Sequence, residues 1–250
     1  MQAYWTLTRR ELGAYFCSLT GYLIIAAAMF LMGYSFWLTL HQLQQLSTPM
    51  PVTELFFRTP YFWLILILTP PVITMRLFAL EKSSGTFETL MTAPVGDTAV
   101  VLAKYTAAWV FHAVVWLPLL GCLLVVRHYT DAGVPFDPSA ACSTFLGICL
   151  LGGVMIAIGC LASALTRNQS LAAMISLMAC VSLFLLAYLA DQFPDGQAWQ
   201  PRVLACFSFF EQMRDFVRGI VDTRFVILYT SLAFLFLFLT IRVVESRRWK

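Results

Sequence analysis

Long apolar runs dominate the chain, and short polar segments separate them. A helix needs about 20 mostly apolar residues to cross a bilayer, and six segments meet that requirement. They are residues 20–40, 60–80, 99–126, 139–166, 171–190 and 225–244. The pattern predicts an all-α integral membrane protein with six transmembrane helices, all within one transmembrane domain over residues 1–250.

A polar island, LEKSSGTFETLMTAPV, interrupts this pattern between the second and third spans. Ser83–Gly85 should break the helix, and Gly85 is suited to the break because it lacks a Cβ. An apolar stripe follows at helical spacing: Phe87, Leu90 and Met91. Glu88 suits the first turn of a helix and Pro94 ends it. The island therefore predicts a short amphipathic helix parallel to the membrane, with an ordinary loop on the lipid headgroups as the alternative.

Residues 1–19 also show helical periodicity. Their apolar stripe comprises Leu12, Tyr15, Phe16 and Leu19, with Trp5 seven residues before Leu12. Arg9, Arg10 and Glu11 lie mostly off that stripe. The pattern is typical of an amphipathic helix in the membrane interface, and a disordered basic tail is the alternative.

The segment 191–224, before the last span, begins polar and then becomes amphipathic. Its apolar residues recur at spacings of three and four: Phe207, Phe210, Met213, Phe216, Val217 and Ile220. The charged residues Glu211, Arg214, Asp215 and Arg218 lie between them. This predicts a short amphipathic helix, or a helix pair, at or dipping into the outer leaflet. A simple surface loop is the alternative.

Small residues recur in the fourth span. Cys149, Gly153 and Ala157 are four residues apart, and Gly159 and Ser163 repeat that spacing on a neighbouring face. Small side chains at this spacing let two helices approach closely in lipid. They predict a helix-packing surface, either inside the subunit or between subunits.

Composition and charge support the membrane class and set an orientation. The chain is 60% hydrophobic and only 12% charged, whereas a soluble domain carries about 25% charged residues. A net charge of +3 from dispersed basic residues does not indicate a nucleic-acid partner. Lys and Arg favour cytoplasmic loops, so both termini and the island are expected to be cytoplasmic. That side then holds Arg9, Arg10, Arg76, Lys82, Lys104, Arg167, Arg242, Arg247, Arg248 and Lys250. The other side holds Arg58, Arg127, Arg202, Arg214, Arg218 and Arg224.

The sequence lacks the patterns expected of a catalytic or metal centre. It has no P-loop and no H-E-x-x-H motif, so we expect no nucleotide or metal bound by this chain. Its seven cysteines form no C-x-x-C pair, and only Cys206 falls in a predicted outer loop. Acidic residues are absent from the middle of the spans, where ion-coupled transporters usually need them. The energy source is therefore expected to lie outside this chain.

Three segments together resemble type-2 ABC exporter permeases. Glu81, Gly85, Thr86, Glu88, Leu90 and Pro94 match that family's segment between the second and third spans. LTRRELGAYFCSLTGYLI is similar to its N-terminal connecting helix. The run from Phe210 to Asp222, with Arg218-Gly219 inside it, and the closing residues Glu245 to Trp249 resemble the gliding-motility-type branch of the family.

The resemblance implies a non-catalytic permease of the bacterial inner membrane that works as a dimer. The second permease is a second copy or a homologous chain, and two separate ABC ATPase subunits bind ATP and Mg²⁺. The residues matching the family's coupling helix would dock on the ATPase. The segment before the last span would form re-entrant helices that act as an outer gate. Residues 9–16 would form the connecting helix. The alternative within the gliding-type branch is an ATP-driven mechanical or assembly component without solute transport.

Overall fold

The computed structural model describes residues 2–45, 52–87, 95–129, 138–192 and 209–248, which form helices and no β-strand. Five helices lie in the first part of the chain: α1 (Gln2–Phe16), α2 (Leu19–Gln45), α3 (Val52–Arg58), α4 (Pro60–Thr74) and α5 (Ala79–Ser84). Five more follow within the described ranges: α6 (Asp97–Tyr129), α7 (Pro138–Leu165), α8 (Gln169–Gln192), α9 (Phe209–Val217) and α10 (Thr223–Arg248).

Six helical segments of the described residues are long and apolar enough to cross a membrane. They are Leu19–His41, Pro60–Ser84, Asp97–Val125, Pro138–Leu165, Gln169–Leu189 and Thr223–Ser246. These are the six spans that the hydrophobic pattern predicts, so the all-α membrane fold is confirmed. Because the number of spans is even, α1 and the C-terminal end of α10 lie at the same end of the bundle. We call this the α1 end and the opposite one the α9 end.

The second span, in which Pro70-Pro71 predict a kink, consists of two helices. α4 runs through Pro70 and Pro71, ends at Thr74, and a turn leads into α5. Proline supplies no backbone N–H, so the helix is weakened near this pair. The Thr74 hydroxyl donates to the Pro70 carbonyl at 2.8 Å, and the Met75 N–H donates to the Pro71 carbonyl at 3.0 Å. These bonds fix the direction in which the chain leaves α4 toward the polar island.

α7 is the central helix of the bundle. It packs against α4, α6, α8, α9 and α10, and more of its length is buried than of any other candidate span. Glycines of α7 let neighbouring helices approach it closely at two crossings. A Cβ at Gly159 would lie 2.1 Å from the Thr74 hydroxyl oxygen, and one at Gly152 would lie 2.2 Å from His112 Nε2.

The small residues predicted to pack helices therefore lie inside the subunit. The Cys149 carbonyl accepts a hydrogen bond from the Trp109 indole at 2.8 Å. A Cβ at Gly153 would lie 3.0 Å from the Tyr105 hydroxyl, and Ala157 is fully buried. Of the two alternatives, the structure supports an internal interface for these residues.

Candidate functional site

α1 is a helix, as its periodicity predicts, and it packs against α6. The Tyr15 ring stacks on Phe111 with centroids 4.8 Å apart, and Phe16 meets the same ring edge-on. The Tyr15 hydroxyl donates to the Ile73 carbonyl at 3.0 Å, and burial raises the Tyr15 pKa. Tyr15 thus packs against the protein through both its ring and its hydroxyl.

The predicted stripe of α1 needs one correction. Leu12 packs against the core together with Tyr15 and Phe16, but Leu19 and Trp5 are both exposed. Leu19 is the first residue of α2, and the Gly13 carbonyl accepts the Cys17 N–H at the end of the preceding helix. The helical spacing does not continue across that break, so Leu19 does not share the face of Leu12.

The polar island starts as predicted, but its break is shorter. Ser83 and Ser84 belong to α5, and only Gly85 leaves the helix, with a left-handed φ of +76°. Thr86 and Phe87 are helical again. Glu88, Leu90, Met91 and Pro94 lie outside the described residues, as do Cys206 and Phe207 of the outer segment and Trp249 at the C-terminus.

Phe87 lies against its own subunit. It is 9% exposed, and the Lys82 ammonium lies 5.3 Å from its ring centroid. The exposed residues of this part of the island are Ser83, Ser84, Gly85 and Thr86. We call these four residues the exposed turn. Phe87, which the sequence places in the apolar stripe of the island, anchors the turn to the bundle. Its part in docking the ATPase stays a prediction.

Four charged residues link the island to two other helices. Lys104 of α6 is almost completely buried, and its ammonium lies 2.8 Å from a Glu81 carboxylate oxygen and 3.2 Å from one of Glu11. Arg10 pairs with the same two carboxylates at the exposed edge. Its hydrogen bond to Glu11 raises the Arg10 pKa. We call this set the Lys104 network, and it joins α1, α5 and α6.

The end of α7 supplies a second attachment for the island. The Ser163 hydroxyl accepts the backbone N–H groups of Phe78 and Ala79 at 3.0 and 3.1 Å. Since the first N–H groups of a helix have no partner within it, Ser163 satisfies donors that α5 leaves open. Lys82 donates to the Ala164 carbonyl. The island is therefore bonded to two other spans, α6 and α7, and to α1.

Gly85 is expected to tolerate Asn better than Val. A Cβ at this position meets no atom within 4 Å, so the left-handed φ alone sets the cost. A branched residue there costs about 1–3 kcal/mol, whereas Asn adopts this region more readily. Thermal unfolding of the purified protein should rank the wild type first, Gly85→Asn second and Gly85→Val last. Equal melting temperatures for the two variants would contradict this.

At the α9 end, the amphipathic segment before the last span folds as predicted into a short helix. Its buried residues are Phe209, Gln212, Met213, Phe216 and Val217. Phe216 and Met213 pack against Gly147, where a Cβ would lie 2.9 Å from the Phe216 ring. The Thr53 hydroxyl donates to the Val217 carbonyl at 3.0 Å, and Ser143 donates to the Phe216 carbonyl. α9 is therefore a buried element rather than a surface loop.

The other residues predicted in this outer segment take different positions. Phe210 faces α4, with its ring 4.3 Å from that of Trp63, while Glu211 and Arg214 are exposed. Gly219 turns the chain with a φ of +89°. Asp222 begins α10, because its carboxylate accepts the Arg224 N–H at 2.9 Å. Phe210, Glu211 and Arg214 thus lie in α9, while Gly219 and Asp222 lie in the turn that joins α9 to α10. Their role as an outer gate stays a prediction.

Glu54 of α3 forms an ion pair with Arg218, the residue that follows α9, and the sequence interpretation missed it. Its side chain is 4% exposed and pairs with Arg218 and Arg58, each at 3.2 Å. Burial alone would raise the Glu54 pKa, but the hydrogen bonds and charges of Arg218 and Arg58 outweigh it, and the net shift is downward. The i, i+4 spacing of Glu54 and Arg58 was the one available signal for this helix.

Glu54 should make stability depend on pH in acid. Because its folded-state pKa lies below the ordinary value of 4.5, the pair stabilises the protein above that value and loses this effect as pH falls through the lowered pKa. The melting temperature of the wild type should therefore exceed that of Glu54→Gln at pH 7 and approach it near pH 3. Arg218→Gln should likewise reduce the dependence of the melting temperature on pH between pH 7 and pH 3. A wild-type advantage that stays constant down to pH 3 would contradict the assignment.

The family model described as "ABC-2 family transporter protein" matches residues 42–218. That range holds four of the six candidate spans, the polar island and α9. The chain belongs to this family. No curated protein matches the sequence.

Membership fixes the general role of the chain. It is a permease subunit of an ABC transporter and a multi-pass membrane protein. Permeases of the ABC-2 family are generally non-catalytic and work with ABC ATPase subunits. Glu245 to Trp249, which carry part of the resemblance to the gliding-motility branch, lie beyond the matched range. That branch therefore stays a prediction.

An apolar groove of about 700 Å³ opens on one side of this ABC-2 permease. Its walls are α4 and α8, and Phe210 of α9 contributes at one end. Trp63, Phe184 and Phe210 form a ring cluster with centroid distances of 4.3 to 5.4 Å. The outer segment thus contributes directly to a groove formed by the second and fifth spans.

Proposed function

We propose that this permease belongs to an ATP-driven exporter in which separate ABC ATPase subunits bind at the polar island and drive the spans. The ATPases would bind ATP and Mg²⁺, and this chain would bind neither. Both termini and the island would face the cytoplasm, with the bundle in the bacterial inner membrane. This orientation rests on the distribution of Lys and Arg among the loops.

The bonding of the island carries the proposal. The exposed turn lies at the surface, yet the residues on either side of it are bound through Lys104, Ser163, Ala164 and the Phe87 contact. A segment held this way transmits displacement to α1, α6 and α7 instead of bending alone. Rigid-body movement of packed helices is a common route from a local displacement to a change of access.

The groove between α4 and α8 suits half of a transport pathway. It is open on one side, and its lining is almost wholly apolar and aromatic. A second permease, either another copy or a homologous chain, would close it. Its composition favours a lipidic or amphipathic cargo, because such molecules partition into apolar surroundings.

Thr86→Arg tests where the ATPase binds. A large cation on the exposed turn should weaken ATPase binding by about tenfold or more, since an unpaired charge in an interface is costly. The measurement is co-purification of the ABC ATPase encoded beside the permease. Ile220→Arg is the matched control, because Ile220 is exposed at the α9 end. Equal ATPase recovery with both variants would contradict docking at the exposed turn.

Reconstituted vesicles test transport itself. Proteoliposomes of permease and ATPase should hydrolyse ATP and move a fluorescent phospholipid analogue between leaflets. Hydrolysis without movement of this lipid, or of soluble amphipathic cargo, would support the mechanical or assembly role of the gliding-type branch instead. Absence of any permease-dependent change in ATP hydrolysis would contradict both.

A further inference from the structure

A separate cavity lies at the α1 end, between α1, the start of α2 and the end of α4. Its volume is about 240 Å³, roughly eight water molecules at about 30 Å³ each. Arg76, Ser18 and Thr20 supply polar groups to its wall, while Ile24, Val72 and Leu80 supply apolar ones. The cavity is therefore polar at one side and apolar where it follows the spans.

Arg76 holds an unused donor at this cavity. One of its terminal nitrogens donates to the Thr20 hydroxyl, but its Nε is buried and has no hydrogen-bond partner among the described residues. Within the same ranges, no carboxylate forms an ion pair with Arg76. A buried donor without a partner is costly, so the position is suited to an acceptor that the protein itself does not supply.

The surrounding charge favours an anion. Glu11 also borders the cavity, but its carboxylate already binds Arg10 and Lys104. Tyr15 uses its hydroxyl on the Ile73 carbonyl. The charged residues in the cavity wall are Glu11 and Arg76, and because Glu11 is balanced by cations of the Lys104 network, the charge of Arg76 is left over. The excess positive charge matches a singly charged phosphodiester.

We propose that this cavity binds the phosphodiester of a membrane phospholipid. Arg76 donates to the phosphate oxygens, with the Thr20 and Ser18 hydroxyls beside it, and an acyl chain follows the apolar wall toward Ile24 and Val72. Guanidinium groups bind phosphate well because their N–H groups diverge in one plane. Basic pockets between transmembrane helices near the membrane surface are suited to lipid headgroups. The lipid would wedge α1 against the second span, beside the Lys104 network.

Native mass spectrometry of the full-length protein with added phosphatidylglycerol tests the site. Arg76→Gln should weaken binding of this lipid by about tenfold, the value of one charge-assisted hydrogen bond. Arg242→Gln is the control, because Arg242 is exposed at the same end and pairs with Glu245. Its effect should stay below about twofold, within the range of an exposed ion pair.

A second variant keeps the test decisive if Arg76→Gln does not fold. Ala14 is exposed on α1 and lines the cavity, so Ala14→Leu should fill it and lower phosphatidylglycerol binding while retaining the Arg76 charge. Diacylglycerol, which lacks the phosphate, should bind more weakly than phosphatidylglycerol. Wild-type lipid affinity in both variants would overturn the proposal. Equal binding of diacylglycerol, or full displacement of the lipid by millimolar inorganic phosphate, would also overturn it.

Discussion

Lys104→Met is expected to lower the free energy of unfolding by about 3 kcal/mol, because removing one partner of a buried ion pair leaves the other charge uncompensated. The Lys104 side chain is 3% exposed and bridges Glu11 and Glu81. Without it, the two carboxylates retain only Arg10, whose side chain is 56% exposed. For a chain of this size the loss corresponds to a melting temperature about 6–12 °C lower. Tryptophan fluorescence during heating of the detergent-solubilised protein measures it.

The same network offers a control and a rescue. Arg10→Gln removes a cation from the same two carboxylates at the exposed edge, and should cost less than about 1 kcal/mol. Adding Glu11→Gln and Glu81→Gln to Lys104→Met removes the uncompensated charges and should recover much of the lost stability. A triple variant that melts no higher than Lys104→Met would show that packing, not charge, explains the loss.

Gly159→Ala is expected to destabilise the crossing of α4 and α7 by about 2–3 kcal/mol, the usual cost of overpacking a tight interior. Its Cβ would lie 2.1 Å from the Thr74 hydroxyl oxygen and 2.7 Å from the Thr74 Cβ. One helix must therefore move, and the movement would also disturb the nearby contacts of Ser163 with α5. Melting temperature and ATPase co-purification should both fall.

Two glycines provide matched controls for this variant. Gly33 and Gly121 also lie in spanning helices, but a Cβ at either meets no atom within 4 Å. Alanine at these positions should be neutral or stabilising, since Ala favours the helix over Gly. Adding Thr74→Ala to Gly159→Ala removes the closest atom and should restore part of the loss. The steric explanation fails if all three single glycine variants melt together.

The spans were predictable because their apolar runs are long and the membrane leaves the backbone few alternatives. α1 and α9 were predictable from their helical periodicity. The helix break at Gly85 was predictable because glycine lacks a Cβ. Pro70 and Pro71 predict a kink in the second span, but not its division into two helices. Where the chain leaves the helix depends on the packing around it, such as the close approach of Thr74 to Gly159, which is a tertiary property.

The partners of charged residues were the hardest to predict. Periodicity gives the face on which a residue lies but not the element that covers that face. In the sequence, Lys104 is one of several basic residues assigned to the cytoplasmic side, yet the fold buries it between Glu11 and Glu81. Phe87 belongs to an apolar stripe in the sequence, and the spacing alone does not show that its own subunit covers it. The Lys104 pairs join residues far apart along the chain, which no local pattern encodes.

The place at which the ATPase contacts this permease is tested most directly by photo-crosslinking in the assembled transporter. Thr86→p-benzoylphenylalanine places the reactive group on the exposed turn, and Ile220→p-benzoylphenylalanine places it at the α9 end as a control. Ultraviolet irradiation should produce a permease–ATPase adduct from position 86 and none from position 220. An ATPase that co-purifies with both variants but forms no adduct from position 86 would contradict the proposal that ATP-driven motion enters through the polar island.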